Sequence, residues 1–169
     1  MKHILPILTI TTLAAAASAQ SASGLSYNRV GLGYNTDSKG YSLSASALIG
    51  GSNFLVSAST TIGGNSTGNG KDSVSLGYVL KNVALGADAT LSVGSNETYG
   101  INVRKDLGNN IEGAVGYSRA GGASSVNTWS AELAYNVSKQ VQLAVAYSNS
   151  DAAGAAGKGQ TSLVARYNF

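Results

Sequence analysis

Apolar residues recur at every second position along most of this chain. In the last nine residues Thr161, Leu163, Ala165, Tyr167 and Phe169 fall on one side of an extended segment, and Ser162, Val164, Arg166 and Asn168 on the other. A period of two marks a β-strand, whose successive side chains point to opposite faces. Nine segments upstream repeat the alternation. The first carries Val30, Leu32 and Tyr34, the second Tyr41, Leu43, Ala45, Ala47 and Ile49, and the third Phe54, Val56, Ala58 and Ile62. The fourth carries Val74, Leu76, Tyr78 and Leu80, and the fifth runs from Val83 and Leu85 to Leu91 and Val93. Tyr99, Ile101 and Val103 follow, then Ile111, Val115 and Tyr117, then Trp129, Leu133 and Tyr135, then Val141, Leu143, Val145 and Tyr147.

The breaks between segments are of two kinds. One set is tight: Gly50 to Asn53, Lys81-Asn82, Asp106 to Asn110 and Ser138 to Gln140. The other set is mostly longer and richer in glycine: Asn35 to Gly40, Gly63 to Asp72, Gly94 to Glu97, Ala120 to Val126 and Ser150 to Gly159. Tight turns alternating with longer loops predict an all-β, transmembrane, antiparallel up-and-down barrel of about ten strands, with short periplasmic turns and longer outer loops. The segments run about 9 to 11 residues, enough for a tilted strand to cross a bilayer.

The aromatic residues fall in two groups along the segments. Tyr34, Tyr41, Tyr99, Tyr117, Trp129 and Tyr147 lie beside the longer loops; Phe54, Tyr78, Tyr135 and Tyr167 lie toward the tight turns. Amphipathic rings collect at the two interfaces of a membrane, and the positions between these groups are nearly all Val, Leu, Ile or Ala.

The opposite parity is small and polar, mainly Gly, Ala and Ser, with six charges: Arg29, Arg104 and Arg166 against Asp88, Glu112 and Glu132. A soluble barrel places its large apolar side chains inside; here the pattern is inverted. Pairing Lys105 with Ile111 across the turn would set Arg104 opposite Glu112, with Asp88 close on the preceding strand. Buried charges must be paired or solvated. This set is read either as an ion-pair network bracing the lumen or as a polar constriction that filters solutes. Being balanced, it predicts weak ion selectivity.

Charge and composition narrow the picture further. Met1-Lys2-His3, the apolar stretch Ile4 to Ala16 and Ala17-Ser18-Ala19 match a secretory signal peptide over residues 1–19, leaving a barrel domain over 20–169. Removing it takes away the only His, the only Met and the only Pro, and the chain has no Cys. No thiol or imidazole then remains for catalysis or soft-metal binding. Glu112 and Glu132 can in principle act as general acid and base, but neighbouring arginines would hold both ionised. An enzyme, a cofactor and a bound metal are therefore not expected. The net charge of +3, or +2 once Lys2 is lost, is too small to indicate a nucleic-acid partner. Gly63 to Lys71 is glycine-rich but lacks the spacing of a phosphate-binding loop. Lys39, Lys71, Arg119 and Lys158 sit near the loop rim, where they can meet lipopolysaccharide phosphates or simply be solvated.

Signal peptide, alternating strands and the terminal Tyr167-Asn168-Phe169 together resemble the small outer-membrane β-barrel proteins of Gram-negative-type bacteria, the OmpA/OmpX-like, opacity-type and porin-like barrels. Leu25 to Tyr34 looks like the opening strand of ten-stranded members, although eight strands is the commoner count among the small ones. The resemblance implies location in the outer membrane, contact with its lipid and lipopolysaccharide, and recognition of Phe169, Tyr167 and Leu163 by the barrel-assembly machinery. It also implies a narrow, weakly selective passive channel for small polar solutes or ions. The alternative is a structural or surface-interaction barrel that does not transport.

Overall fold

The computed structural model describes residues 24–63, 72–122, 125–152 and 159–169. The expected signal peptide and most of the loop Gly63 to Asp72 lie outside them. Ten strands follow one another: β1 (Arg29–Asn35), β2 (Tyr41–Leu48), β3 (Phe54–Ile62), β4 (Ser73–Ala84), β5 (Ala87–Gly94), β6 (Thr98–Gly108), β7 (Ile111–Ala120), β8 (Val126–Asn136), β9 (Val141–Ser150) and β10 (Gln160–Asn168). Each pairs antiparallel with its sequence neighbours, and β1 pairs with β10, so the sheet closes into a barrel. Closure gives every strand two partners and leaves no edge of unpaired backbone groups.

The apolar parity faces outward on all sides. Val115 and Leu133, near the middle of β7 and β8, are 58% and 57% exposed. An exterior of this kind suits hydrocarbon, not water. Aromatic rings meet across strands at both ends: Tyr34 and Tyr41 lie 5.1 Å apart, Tyr117 and Trp129 4.5 Å, and Phe54 and Tyr78 5.2 Å. In each case the two residues are direct register partners, the geometry in which cross-strand side chains interact most strongly. Tyr99, Tyr135, Tyr147 and Tyr167 are also exposed on the exterior.

Three features differ from the sequence-based expectation. The turn placed at Lys81-Asn82 lies instead at Leu85-Gly86, because β4 runs on to Ala84 past a bulge between Leu80 and Ala84. Leu85 and Gly86 both have positive φ, as a two-residue hairpin turn requires, and Leu85 projects from its tip. Asn82, also at positive φ, is tied down by its N–H, which donates to Asp88 Oδ1 at 2.9 Å. Second, β6 and β7 run on to a tighter turn than expected, with a bulge between Asp106 and Gly108, so that Lys105 faces Gly113 and not Ile111, Glu112 faces Asp106, and Arg104 faces Ala114. The turn itself is Asn109-Asn110, both with positive φ. Third, β1 begins at Arg29. The preceding Gly24–Asn28 does not extend the strand but lies inside the barrel, where Leu25 and Tyr27 are buried against Leu48, Leu55 and Val79.

Candidate functional site

The lumen at the level of the first β1 residues is crossed by a connected set of polar side chains. Arg104 Nε donates to Glu112 Oε1 at 2.7 Å, with both side chains buried. They meet diagonally across the β6–β7 pair, since the two-residue turn Asn109-Asn110, in place of the five-residue break expected, carries the strands on and sets Arg104 opposite Ala114 and Glu112 opposite Asp106. Gln142 on β9 donates from Nε2 to Glu112 Oε2 at 3.1 Å and to Asn136 Oδ1 at 2.9 Å. Its own Oε1 accepts from Arg166 Nη1 at 2.9 Å. Arg166 also donates from Nη1 and Nη2 to the two oxygens of Glu132, a fork-to-fork pair. One chain of contacts, Arg104–Glu112–Gln142–Arg166–Glu132, therefore joins β6 through β10. Glycine at position 31 on β1 makes room for it: a Cβ there would stand 3.3 Å from Arg166 Cγ and 2.9 Å from Ser44 Oγ.

The inserted Gly24–Asn28 segment is bound into the same layer. The Arg104 guanidinium lies 4.8 Å from the centre of the Tyr27 ring, a cation–π contact. Arg104 Nη1 donates to the Ser26 carbonyl at 3.0 Å. Ser46 Oγ donates to the Tyr27 carbonyl at 2.7 Å, and the Leu48 N–H to Asn28 Oδ1 at 2.9 Å. The Tyr27 hydroxyl donates to Asp88 Oδ2 at 2.8 Å.

Two spaces remain, one on each side of this layer. Toward the long loops lies a cavity of about 300 Å³ walled by Tyr27, Arg29, Arg104 and Arg166 and by serines of β2 to β5. Toward the tight turns lies a second of about 450 Å³, bordered by Gly24, Ser26, Asp106, Glu112, Gln142 and Asn168. Tyr27 faces the first and Ser26 the second, so the segment stands between them.

The six lumen charges named from the sequence all reach this layer. Arg104 pairs with Glu112 and Arg166 with Glu132; Asp88, a register partner of Arg104, holds the Tyr27 hydroxyl and the Asn82 amide. Arg29 lines the loop-side cavity, and its Nη1 is the one buried side-chain nitrogen or oxygen without a hydrogen-bond partner among the described residues. Leu163 and Tyr167 lie on the exterior, and the Phe169 N–H donates to the Asn28 carbonyl at 3.0 Å. Sequence reasoning missed Tyr27, Ser26 and Gln142 as members of the layer. The signal was available: Leu48, Leu55 and Val79 have the inward parity, and large apolar residues on a polar wall require an apolar occupant.

No family model matches the sequence, and no curated protein does. Among solved structures the chain is similar to a KdgM porin, with a TM-score of 0.50, 16% identity, and coverage of 83% of this chain and 99% of that one. It is equally similar to a KdgM porin in complex with disordered oligogalacturonate, with a TM-score of 0.51, 15% identity and the same coverage. At this identity the likeness concerns the fold: both are barrels over nearly their whole length.

Proposed function

We propose that this protein is an outer-membrane β-barrel acting as a narrow passive channel for small polar solutes or ions. The supporting observation is the lumen, where, among the described residues, two polar-lined spaces are separated only by the Gly24–Asn28 segment and the side chains that hold it. The apolar exterior fits a lipid surround, and the porins of similar fold make a transport role the natural one for a barrel of this size. The apolar anchors Leu25 and Tyr27 determine how much of the cross-section stays closed. In planar bilayers the wild-type barrel should show small unitary conductance, and Tyr27→Ala or Leu25→Ser should raise it several-fold. Bilayers that stay silent for the wild type and for both variants would refute transport.

A second reading, a structural or surface-interaction barrel, is favoured by the same segment, which fills the lumen with apolar side chains at the turn end. On either reading we place the exterior against outer-membrane lipid, Arg119 at the rim within reach of lipopolysaccharide phosphates, and Phe169, Tyr167 and Leu163 in recognition by the assembly machinery.

A further inference from the structure

The lumen charges balance in number but not in placement. The loop-side cavity is walled by Arg29, Arg104 and Arg166, and among the described residues no Asp or Glu contributes to its lining. The carboxylates that balance them are withdrawn from it: Asp88 and Glu112 are almost fully buried, and Glu132 is engaged by Arg166 on both oxygens. Arg104 and Arg166 each retain a carboxylate partner, whereas Arg29 has none among the described residues. Its Nη1 is also the unpartnered buried donor noted above. Leaving a buried guanidinium nitrogen without an acceptor is costly, and a bound anion removes that cost.

The rest of the wall is equally specific. Seven serines and one threonine line the same cavity, together with Asn102. Hydroxyls both donate and accept, so they suit the hydroxyl groups of a solute whose charged end sits on the arginines. A volume of about 300 Å³ lies at the small end of the range for ligand cavities, roughly 300–1,000 Å³.

We propose that the loop-side cavity, floored by Arg29, Arg104 and Arg166 and walled by hydroxyls, binds a small solute carrying a carboxylate or phosphate group. This rests on the barrel being open to solutes from the loop end, and it deepens the channel reading. Binding does not itself require passage, so the two can be tested apart.

The test is calorimetric titration of the detergent-solubilised barrel at low ionic strength with D-glucuronate, inorganic phosphate and D-glucose. Glucuronate or phosphate should bind at least about tenfold more tightly than neutral glucose, and Arg29→Gln should lose about tenfold, the worth of one charge-assisted hydrogen bond. Lys81→Gln, which removes a charge from an exposed position outside the cavity, should change nothing. Tighter glucuronate than phosphate identifies a sugar-acid carboxylate as the ligand; the reverse order identifies a phosphate. Should Arg29→Gln fail to assemble, as judged by heat-modifiable gel mobility, Ser57→Asp places a carboxylate on the same wall and should abolish binding. Equal affinity for glucose, no binding of either anion, or unaltered binding by an assembled Arg29→Gln barrel or by Ser57→Asp would overturn the proposal. Anion binding with silent bilayers would keep the site and remove the channel; conductance without anion binding would do the opposite.

Discussion

Replacing Arg104 by Met tests whether the lumen layer holds the barrel together. The change removes the 2.7 Å bond to Glu112, the bond to the Ser26 carbonyl and the cation–π contact with Tyr27, while roughly keeping the side-chain volume. Glu112 is then left buried at 3% exposure with only the Gln142 amide to satisfy it. Stranding one member of a buried ion pair costs about 3–5 kcal/mol, and losing the ring contact about 0.5–2 kcal/mol. These contributions overlap, so the expected loss is on the order of 4 kcal/mol, close to a thousandfold in the unfolding equilibrium. Urea unfolding of the barrel in lipid vesicles measures it, followed by the fluorescence of Trp129, the only tryptophan, which faces outward beside the loop end. Most of the cost lies in the abandoned carboxylate and not in the missing attraction. The double variant Arg104→Met with Glu112→Gln should therefore recover more than half of the loss. A single variant within about 1 kcal/mol of wild type, the value of a surface pair, would refute the reasoning. So would a double variant no more stable than the single one.

Two further outcomes follow from the exterior and the rim. Val115→Arg, at the outward middle of β7, should cost about 2–4 kcal/mol in the same vesicle assay, whereas Val115→Leu should stay within about 1.5 kcal/mol. Asp151, at the end of β9, holds its carboxyl below the ordinary range because the Asn127 side-chain amide and backbone N–H both donate to it at 2.6 Å. A depressed folded value means this contact is fully present above the ordinary carboxylate pKa of about 3.9 and is lost as pH falls through the folded value. The Asn127 amide shift in a micelle NMR titration should move only below that pH, and should not move in Asp151→Asn.

The architecture was legible because its signal is repeated along the chain. Strand alternation, two kinds of break and the placement of Tyr34, Tyr41, Phe54, Tyr78, Tyr117 and Trp129 all point to the same closed sheet, and one mistaken turn leaves the rest in place. The misplaced turn shows where periodicity fails. The bulge after Leu80 moves the apolar positions from even to odd numbers at Val83, in step with Ala87, Ala89 and Leu91, so period two alone sets the turn before Val83 although β4 has not yet ended. Lys105 and Ile111 misled because the polar run Asp106 to Asn110 reads as a five-residue break, whereas the strands continue through most of it to a two-residue turn and Lys105 faces Gly113. The lumen charges were found because charge on the inward parity is rare. The segment that holds them together was not, because Leu25 and Tyr27 alternate like strand residues. Only the long-range fit to Leu48, Leu55 and Val79, which no local pattern encodes, assigns them to the interior.

The seam between β1 and β10 also bears on the order in which the molecule is made. Arg29 and Arg166 sit on the first and last strands, so the guanidinium trio does not exist until the ribbon of ten strands has curled round and its ends have met. Contacts that join the two termini carry the largest entropy of closure in the chain and form slowly. An intermediate stalled before that event would present two raw margins to its neighbours in the bilayer, and its solute pocket would be missing one wall.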